Sequence, residues 1–573
     1  MQITNRIHFR NLQGDIFGGV TAAVIALPMA LAFGMASGTG VIAGLWGAVL
    51  VGFCAALFGG TPTLISEPTG PMTVVMTAVV TKMIAYNPDN GLAMAFTTVM
   101  LAGIFQIIFG LLKLGKYVTL MPYTVVSGFM SGVGLILIIL QLGPFLGHAN
   151  PKGGVVEILK ALPHSITTLS PSETALGLLT MAILYLMPPK IKKLVPPQLI
   201  ALIVGTLITI FFLSEVDIRI IGEIPKGLPQ LHFPIFSLDQ LNEMLVDGLV
   251  LGMLGCIDAL LTSVIADSLT QTHHDSNKEL IGQGIGNLVS GLCGGLPGAG
   301  ATMGTVINIQ AGGRTALSGL SRALILLIVV LWAAPLTKNI PLAVLAGIVL
   351  KVGIDIIDWK FLKRAHRLSI KAAAIMYGVM LLTVFYDLIT AVGIGVCIAN
   401  ILTIQRLADI QSNLVKTIDT PDDDTLLCGM SKYLMEEANR RVMLLDLSGP
   451  MSFGAAKAIT QRQAILDNYD ALIIDLNGVP LLGVTATLAI EKMVDEAAKK
   501  SIEIYIVGAN IKIKERLQQF DIFKRISLQN RFDNRVDALR LAVTKLKEKN
   551  LINKQIDASE VNLSSHKSIK QDL

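Results

Sequence analysis

Asp258 stands in the middle of an apolar run, GMLGCIDALLTSVIADS (252–268), where an ionisable group is expensive and usually functional. Thr262 follows four residues later and shares its helix face. A carboxylate, a hydroxyl and free backbone carbonyls form a hard-oxygen environment that a sodium ion accepts. The same pattern suits a protonated Asp held by hydrogen bonds inside a helix bundle, or a carboxylate that couples to protons. Two other segments could do chemistry without charge. SEPTGP (66–71) and GLPGAGATMG (295–304) each interrupt the apolar pattern just before a short apolar run. Pro68 and Pro71 cannot lie inside an unbroken helix, because proline lacks a backbone donor and clashes with the preceding turn. Pro71 suits a first helical turn, with Thr69 or Gly70 at its cap. Gly298, Ala299, Gly300 and Ala301 supply small residues ahead of Thr302. A helix N-terminus offers unpaired N–H groups and about half a positive charge. Two such ends facing each other make an anion site without arginine. The alternative is a pair of packing kinks lined by small residues. Glu67 is either a second coupling group or a pairing residue at the cytoplasmic mouth.

The elements that position these residues are membrane spans. The chain of 573 residues is 52% hydrophobic and 15% charged, with a mean hydropathy of +0.64, and a soluble domain carries about 25% charge. A net charge of +5 is too small for this length to argue for nucleic-acid binding. Charges are sparse from about Asp15 to Asn400 and reach soluble density after about Leu407. A spanning helix needs about 20 apolar residues. Candidates fall near 16–36, 40–58, 70–86, 93–112, 119–143, 174–187 and 197–213. They resume near 248–266, 280–293, 302–311, 316–334, 341–352, 370–385 and 387–404, about fourteen in all. Several are short and edged by Gly and Pro, the mark of discontinuous helices in secondary transporters.

The charges sort by side. Lys113 and Lys116 follow span 4, Lys190, Lys192 and Lys193 follow span 6, and Arg314 and Arg322 flank the connection after span 10. Lys360, Lys363, Arg364, Arg367 and Lys371 follow span 12, whereas the connection from Glu215 to Asp247 is acidic. Positive loops face the cytoplasm, so both termini and the tail are expected there, in a plasma-membrane protein. A division near residue 230 leaves seven spans on each side, which predicts an inverted repeat with the two breaks at matching places. Cys54, Cys256, Cys293, Cys397 and Cys428 read as small buried side chains, and His273 and His274 as a solvated loop. GQGIGN (282–287) lacks a preceding strand and reads as helix packing. Asp387 reads as a boundary residue. No nucleophile–base set or metal motif appears, so enzyme activity is not expected.

GDIFGGVTAAVIALPMALAFGMASG (14–38), NIQAGGRTALSGL (308–320) and FGGTPTLISEPTGPMTVVMTAVV (58–80) resemble the SulP anion transporters, the sulfate permease and anion-exchanger family. The last segment and Asp258 are most similar to its sodium-dependent bicarbonate carriers. The resemblance implies a 7+7 inverted repeat with a substrate-carrying core and a gate domain, an elevator-like step, and a homodimer with a cytoplasmic STAS domain. It places the anion at Thr69, Gly70, Ala301 and Thr302, and sodium at Asp258, Thr262, Gly300 and Thr302. It implies sodium-coupled bicarbonate import. Proton-coupled or exchange transport of sulfate or another small inorganic anion is the alternative, and an anion channel a further one. Many members carry an arginine just inside span 10, where this chain has Gly304, so the anion charge would be left to helix dipoles and a bound cation. In the tail, expected from 417 to 550, RVMLLDLSG (441–449) and ALIIDLNGV (471–479) read as buried strands. TATLAIEKMVDEAAKK (485–500) has helical spacing and SIEIYIVGAN (501–510) is another strand, a small α/β domain that resembles STAS domains. Thr485 fits their phosphorylated hydroxyl, but the acidic residue before it is missing, which favours a dimerisation or trafficking role over a phosphoswitch. Residues after about Asn550 read as a disordered tail.

Overall fold

The computed structural model describes all residues except 1–3, 6–8, 119–121, 152–154, 189–190, 192–194, 214, 223–227, 238, 334–337, 387, 421–426, 428 and 550–573. Lys190, Lys192, Lys193, Asp387, Cys428 and the expected polar tail lie outside the described residues. The chain forms two compact units, Met1–Ala399 and Asn400–Leu573.

Over its described residues, every expected apolar run in the first unit is essentially helical. The first half contains α1 (Leu12–Ala36), α2 (Val41–Phe58), strand β1 (Ser66–Glu67), α3 (Gly70–Tyr86) and α4 (Gly91–Leu111). It continues with α5 (Tyr123–Leu146), α6 (Val155–Thr167), α7 (Pro171–Leu186) and α8 (Pro197–Phe212). The second half contains α9 (Leu241–Thr270), α10 (Ser276–Leu292), strand β2 (Ala299–Gly300), α11 (Thr302–Gln310) and α12 (Ala316–Ile328). Then come α13 (Leu342–Ile356), α14 (Trp359–Leu368), α15 (Ile370–Phe385) and α16 (Leu388–Asn413), the last of which runs on into the second unit. Among the described residues, α1, α2, α4, α5, α9 and most of α16 are long and apolar enough to cross a bilayer alone. α6 and α7 meet at 110° as a bent pair.

Among the described residues of this unit, besides the short turn of helix at Gly115–Val118, two helices lie outside the expected runs. α6 precedes the span expected at 174–187, and α14 occupies the basic cluster expected as a loop. In α14 the apolar residues recur at helical spacing, so Phe361, Leu362 and Ala365 pack inward while Lys360, Lys363, Arg364 and Arg367 stay exposed.

The helices of this unit form two groups. In one, α4 packs against α9 and α10, α2 against α10 and α12, and α1 against α11 and α12. In the other, α5 packs against α13 and α15, and α7 against α8 and α13. The groups meet where α1 touches α8 and α13 and where α3 touches α5 and α13. Small residues permit the tightest crossings. A Cβ on Gly284 would lie 2.6 Å from the Gly103 carbonyl oxygen, so α4 and α10 could not approach with any larger residue there. This is the helix-packing role expected for GQGIGN.

The second unit contains a five-stranded sheet in the order β3 (Val415–Ile418), β4 (Val442–Ser448), β5 (Ala471–Gly478), β6 (Glu503–Val507), β7 (Arg531–Phe532). β3 is antiparallel to β4 and the other pairs are parallel. Helices α17 (Met430–Glu437), α18 (Phe453–Gln463), α19 (Val484–Lys499) and α20 (Ile511–Gln519), with a final helix at 535–549, complete it. The central strands β4 and β5 are buried on both faces, as crossover helices require, and each face has its own core. One holds Met443, Leu445, Ile474 and Ile490; the other holds Leu444, Ile473, Tyr505 and Leu539.

Candidate functional site

The two chain breaks pair with each other. β1 and β2 are antiparallel, with Ser66 opposite Gly300 and Glu67 opposite Ala299. Helix α3 leaves one end of this ribbon and α11 the other. Their N-caps, Thr69 and Ala301, are extended, and neither caps its helix with a side chain. Pro71 has no N–H, so the first turn of α3 offers the Gly70 and Met72 amides, which have no intrahelical acceptor. The Ala301 amide is engaged by the Ile65 carbonyl at 2.8 Å. The first turn of α11 therefore offers the amides from Thr302 onward.

Thr69 does not cap α3 because its hydroxyl is used elsewhere. It donates to Asp258 Oδ2 at 2.9 Å. Asp258 and Thr262 sit one turn apart on α9, both buried. Thr262 Oγ1 donates to the Gly300 carbonyl at 2.9 Å and lies 3.0 Å from Thr302 Oγ1. The helix that carries the carboxylate is thus tied to both broken helices through oxygen atoms. The structure brings together Thr69, Gly70, Asp258, Thr262, Gly300, Ala301 and Thr302 as lining of one cavity of about 750 Å³. Met29 and Phe33 of α1, Met130 of α5 and Ile356 of α13 also line it, so both helix groups contribute walls.

A buried polar frame holds the ribbon in place. Asn287 of α10 clamps Gly298 through both backbone groups, accepting from its N–H at 2.8 Å and donating to its carbonyl at 2.9 Å. It also donates to Gln106 Oε1 at 2.8 Å. Gln283 donates to Ser66 Oγ at 2.6 Å and to Glu279 at 2.8 Å, and the same Glu279 accepts from the Gly60 and Thr61 amides. Arg322, fully buried in α12, pairs with Glu67 and donates to the Ser66 carbonyl at 3.0 Å. A Cβ on Gly298 would lie 2.8 Å from the Glu67 backbone, so only glycine fits under the ribbon.

Two sequence expectations change here. Arg322 is no loop charge: it lies inside α12, where only a paired guanidinium can be buried. Its partner is Glu67, one of the two roles expected for that residue, though the pairing takes place at the ribbon. A Cβ at Gly304, just inside α11, would lie 3.3 Å from Glu67 Oε1. Sequence reasoning missed Arg322 and Asn287, and an arginine within an apolar run was the available signal. His274 is also less solvated than expected; its Nδ1 lies 2.7 Å from Asp267 Oδ2 and its Nε2 2.9 Å from Ser276 Oγ. Thr485 lies in the second unit, exposed in the first turn of α19 after Gly483 at the N-cap.

A broken-helix ribbon held within one helix group and facing a cavity walled by both is the architecture of a membrane transporter. The family model "Sulfate permease family" matches residues 12–379 and that of the STAS domain matches 433–538. The chain is 64% identical over 546 residues to the bicarbonate transporter BicA of Synechocystis, covering 95% of this chain and 97% of that one. It is 62% identical to BicA of Picosynechococcus over similar shares, 95% and 97%. The solved transmembrane domain of a cyanobacterial BicA matches with 70% identity and a TM-score of 0.65, covering 68% of this chain and all of that one. SLC26A9 shares the fold, with a TM-score of 0.78 at 18% identity, covering 95% of this chain and 92% of that one. The chain therefore belongs to the sulfate permease family of membrane anion transporters, with a C-terminal STAS domain, and is not an enzyme.

Proposed function

We propose that this protein imports bicarbonate together with sodium. The observation that carries this reading is the shared oxygen cluster, in which Asp258 accepts from Thr69 and Thr262 bridges Gly300 and Thr302. Sodium at Asp258, Thr262, Gly300 and Thr302 would place a positive charge between two helix N-termini. Bicarbonate would then meet that charge, the Thr69 and Thr302 hydroxyls and the free amides of the first turns, with Gly70 and Ala301 leaving room for it. Each ion lowers the electrostatic cost of binding the other, which is the basis of symport. The names of the two cyanobacterial relatives supply the substrate.

The movement we infer is an elevator-like step of the group bearing the ribbon against the other group, exposing the cavity alternately to each side. The antiparallel ribbon, with one helix leaving each strand, fits the 7+7 inverted repeat. The basic clusters around α14 support cytoplasmic termini in a plasma-membrane protein, and the STAS domain is assigned to a homodimer interface rather than to a phosphoswitch at Thr485. Uptake of labelled bicarbonate into vesicles, with and without a sodium gradient, tests the core of this reading. Asp258→Ala is expected to abolish sodium-dependent uptake while the protein remains in the membrane. Uptake near the wild-type level would overturn it, and uptake driven by protons without sodium would establish the proton-coupled alternative.

A further inference from the structure

Beyond the ribbon, the cavity wall contributed by α13 carries an ion pair that the proposed site does not use. Lys351 and Asp355 stand one turn apart, pair with each other, and line the site cavity. Both also line an adjoining cavity of about 590 Å³ that reaches Phe17 and Thr21 near the start of α1 and Gln310 at the end of α11. They therefore sit at the junction between the ribbon and the face of the unit on which α1 begins. Among the described residues that line either cavity, Lys351 is the one cation.

The environments of the two side chains differ. Lys351 is mostly covered, its side chain 18% exposed, with Nζ 5.0 Å from the centre of the Tyr185 ring. Asp355 is 46% exposed. The aromatic face holds the ammonium in place, whereas the solvated carboxylate is cheap to detach, because exposed pairs are weak and readily screened.

We propose that Lys351 is a waystation for the transported anion on this side of the site, and that Asp355 is its displaceable counter-ion. An anion leaving the helix ends replaces Asp355 beside Lys351. Asp355 then recaptures the lysine and releases the anion into the outer cavity, so the lysine does not become a trap. The inference rests on the reading of the ribbon as the anion site.

The test uses the full chain in proteoliposomes, with orientation assigned from accessibility of an N-terminal tag. Bicarbonate flux is measured from each face. Lys351→Gln is expected to raise the half-saturating bicarbonate concentration on the N-terminal face by about five-fold, the scale of a partly exposed charge pair. Lys351→Arg should restore it. Asp355→Asn should shift it the opposite way, to a lower concentration, and slow the maximal rate as the anion lingers. Neither change should move the value on the other face. The proposal is overturned if Lys351→Gln leaves the N-terminal-face value unchanged, or if Asp355→Asn raises it as a folding defect would. If the wild-type chain carries no bicarbonate, the function reading fails by itself. The pair is then judged by the same criteria on sulfate or chloride, whichever is carried.

Discussion

Replacing Arg322 should weaken the protein more than replacing Arg322 and Glu67 together. The guanidinium is fully buried, pairs with Glu67, and donates to the Ser66 carbonyl at 3.0 Å and the Ala48 carbonyl at 3.3 Å. In Arg322→Gln the Glu67 carboxylate remains buried with no cation beside it, which costs about 3–5 kcal/mol. Glu67 lines the cavity and its side chain is 10% exposed, so the lower end, about 3 kcal/mol, is the expected loss. Glu67→Gln strands the guanidinium in the same way. Independent effects would add to about 6–10 kcal/mol, comparable with the whole stability of a typical domain. Coupled effects would leave Glu67→Gln/Arg322→Gln only about 1–2 kcal/mol below wild type, because two amides need far less solvation than two charges. The assay is thermal unfolding of the purified full chain in detergent, comparing wild type, both single variants and the double variant. A double variant as unstable as Arg322→Gln, or an Arg322→Gln protein within about 1 kcal/mol of wild type, would refute the reasoning.

Two further outcomes follow from neighbouring features. Asn287→Ala removes both bonds to Gly298, a loss of about 2–3 kcal/mol at 1–1.5 each. Because that turn leads into Gly300, Ala301 and Thr302, the half-saturating concentrations of sodium and bicarbonate should rise together in uptake assays; a rise in only one would show that the clamp does not position the shared ribbon. In the second unit, Arg535 pairs with Asp446 and, at 2.5 Å, with Asp475. Burial raises the Asp446 carboxyl above its usual range, with Arg535 opposing the rise. The folded state therefore holds that proton more tightly than the unfolded chain, and stability falls as pH rises through the folded value. Arg535→Ala lifts Asp446 further, so the deficit, about 3–5 kcal/mol at neutral pH, should shrink toward pH 5. Urea unfolding of the isolated second unit across pH reads this directly; a deficit that grew in acid would contradict it.

The parts legible from sequence were those in which one residue alone breaks a rule. Pro68 and Pro71 forbid a continuous helix, so the start of α3 at Gly70 could be read from the chain. Asp258 in an apolar run marks itself, and its spacing from Thr262 requires only helix geometry. The alternating strands and helices of the tail are local patterns of the same kind. Arg322 also breaks a rule, but its proximity to the end of a predicted span let it pass for a loop charge. In the structure it belongs to the interior, because Glu67, 255 residues away, lies beside it.

What stayed illegible depends on pairs that are distant in sequence and weak in local signal. Asn287 and Gln106 are ordinary polar residues in helices until the fold joins them directly and brings Gly298 to Asn287. Lys351 and Asp355 look like a solvated pair at helical spacing, and their meaning comes from a cavity whose opposite wall is built by α9 and α11. The division follows from energetics. A proline in a helix or a charge in lipid costs several kcal/mol wherever the rest of the chain goes, and so leaves a mark in the sequence. An amide that clamps a turn contributes only after the fold has delivered its partner, and that contribution is a kcal/mol or so per bond. The residues proposed to hold the ions could therefore be read one at a time, whereas those that hold the ribbon together are visible only in the assembled structure.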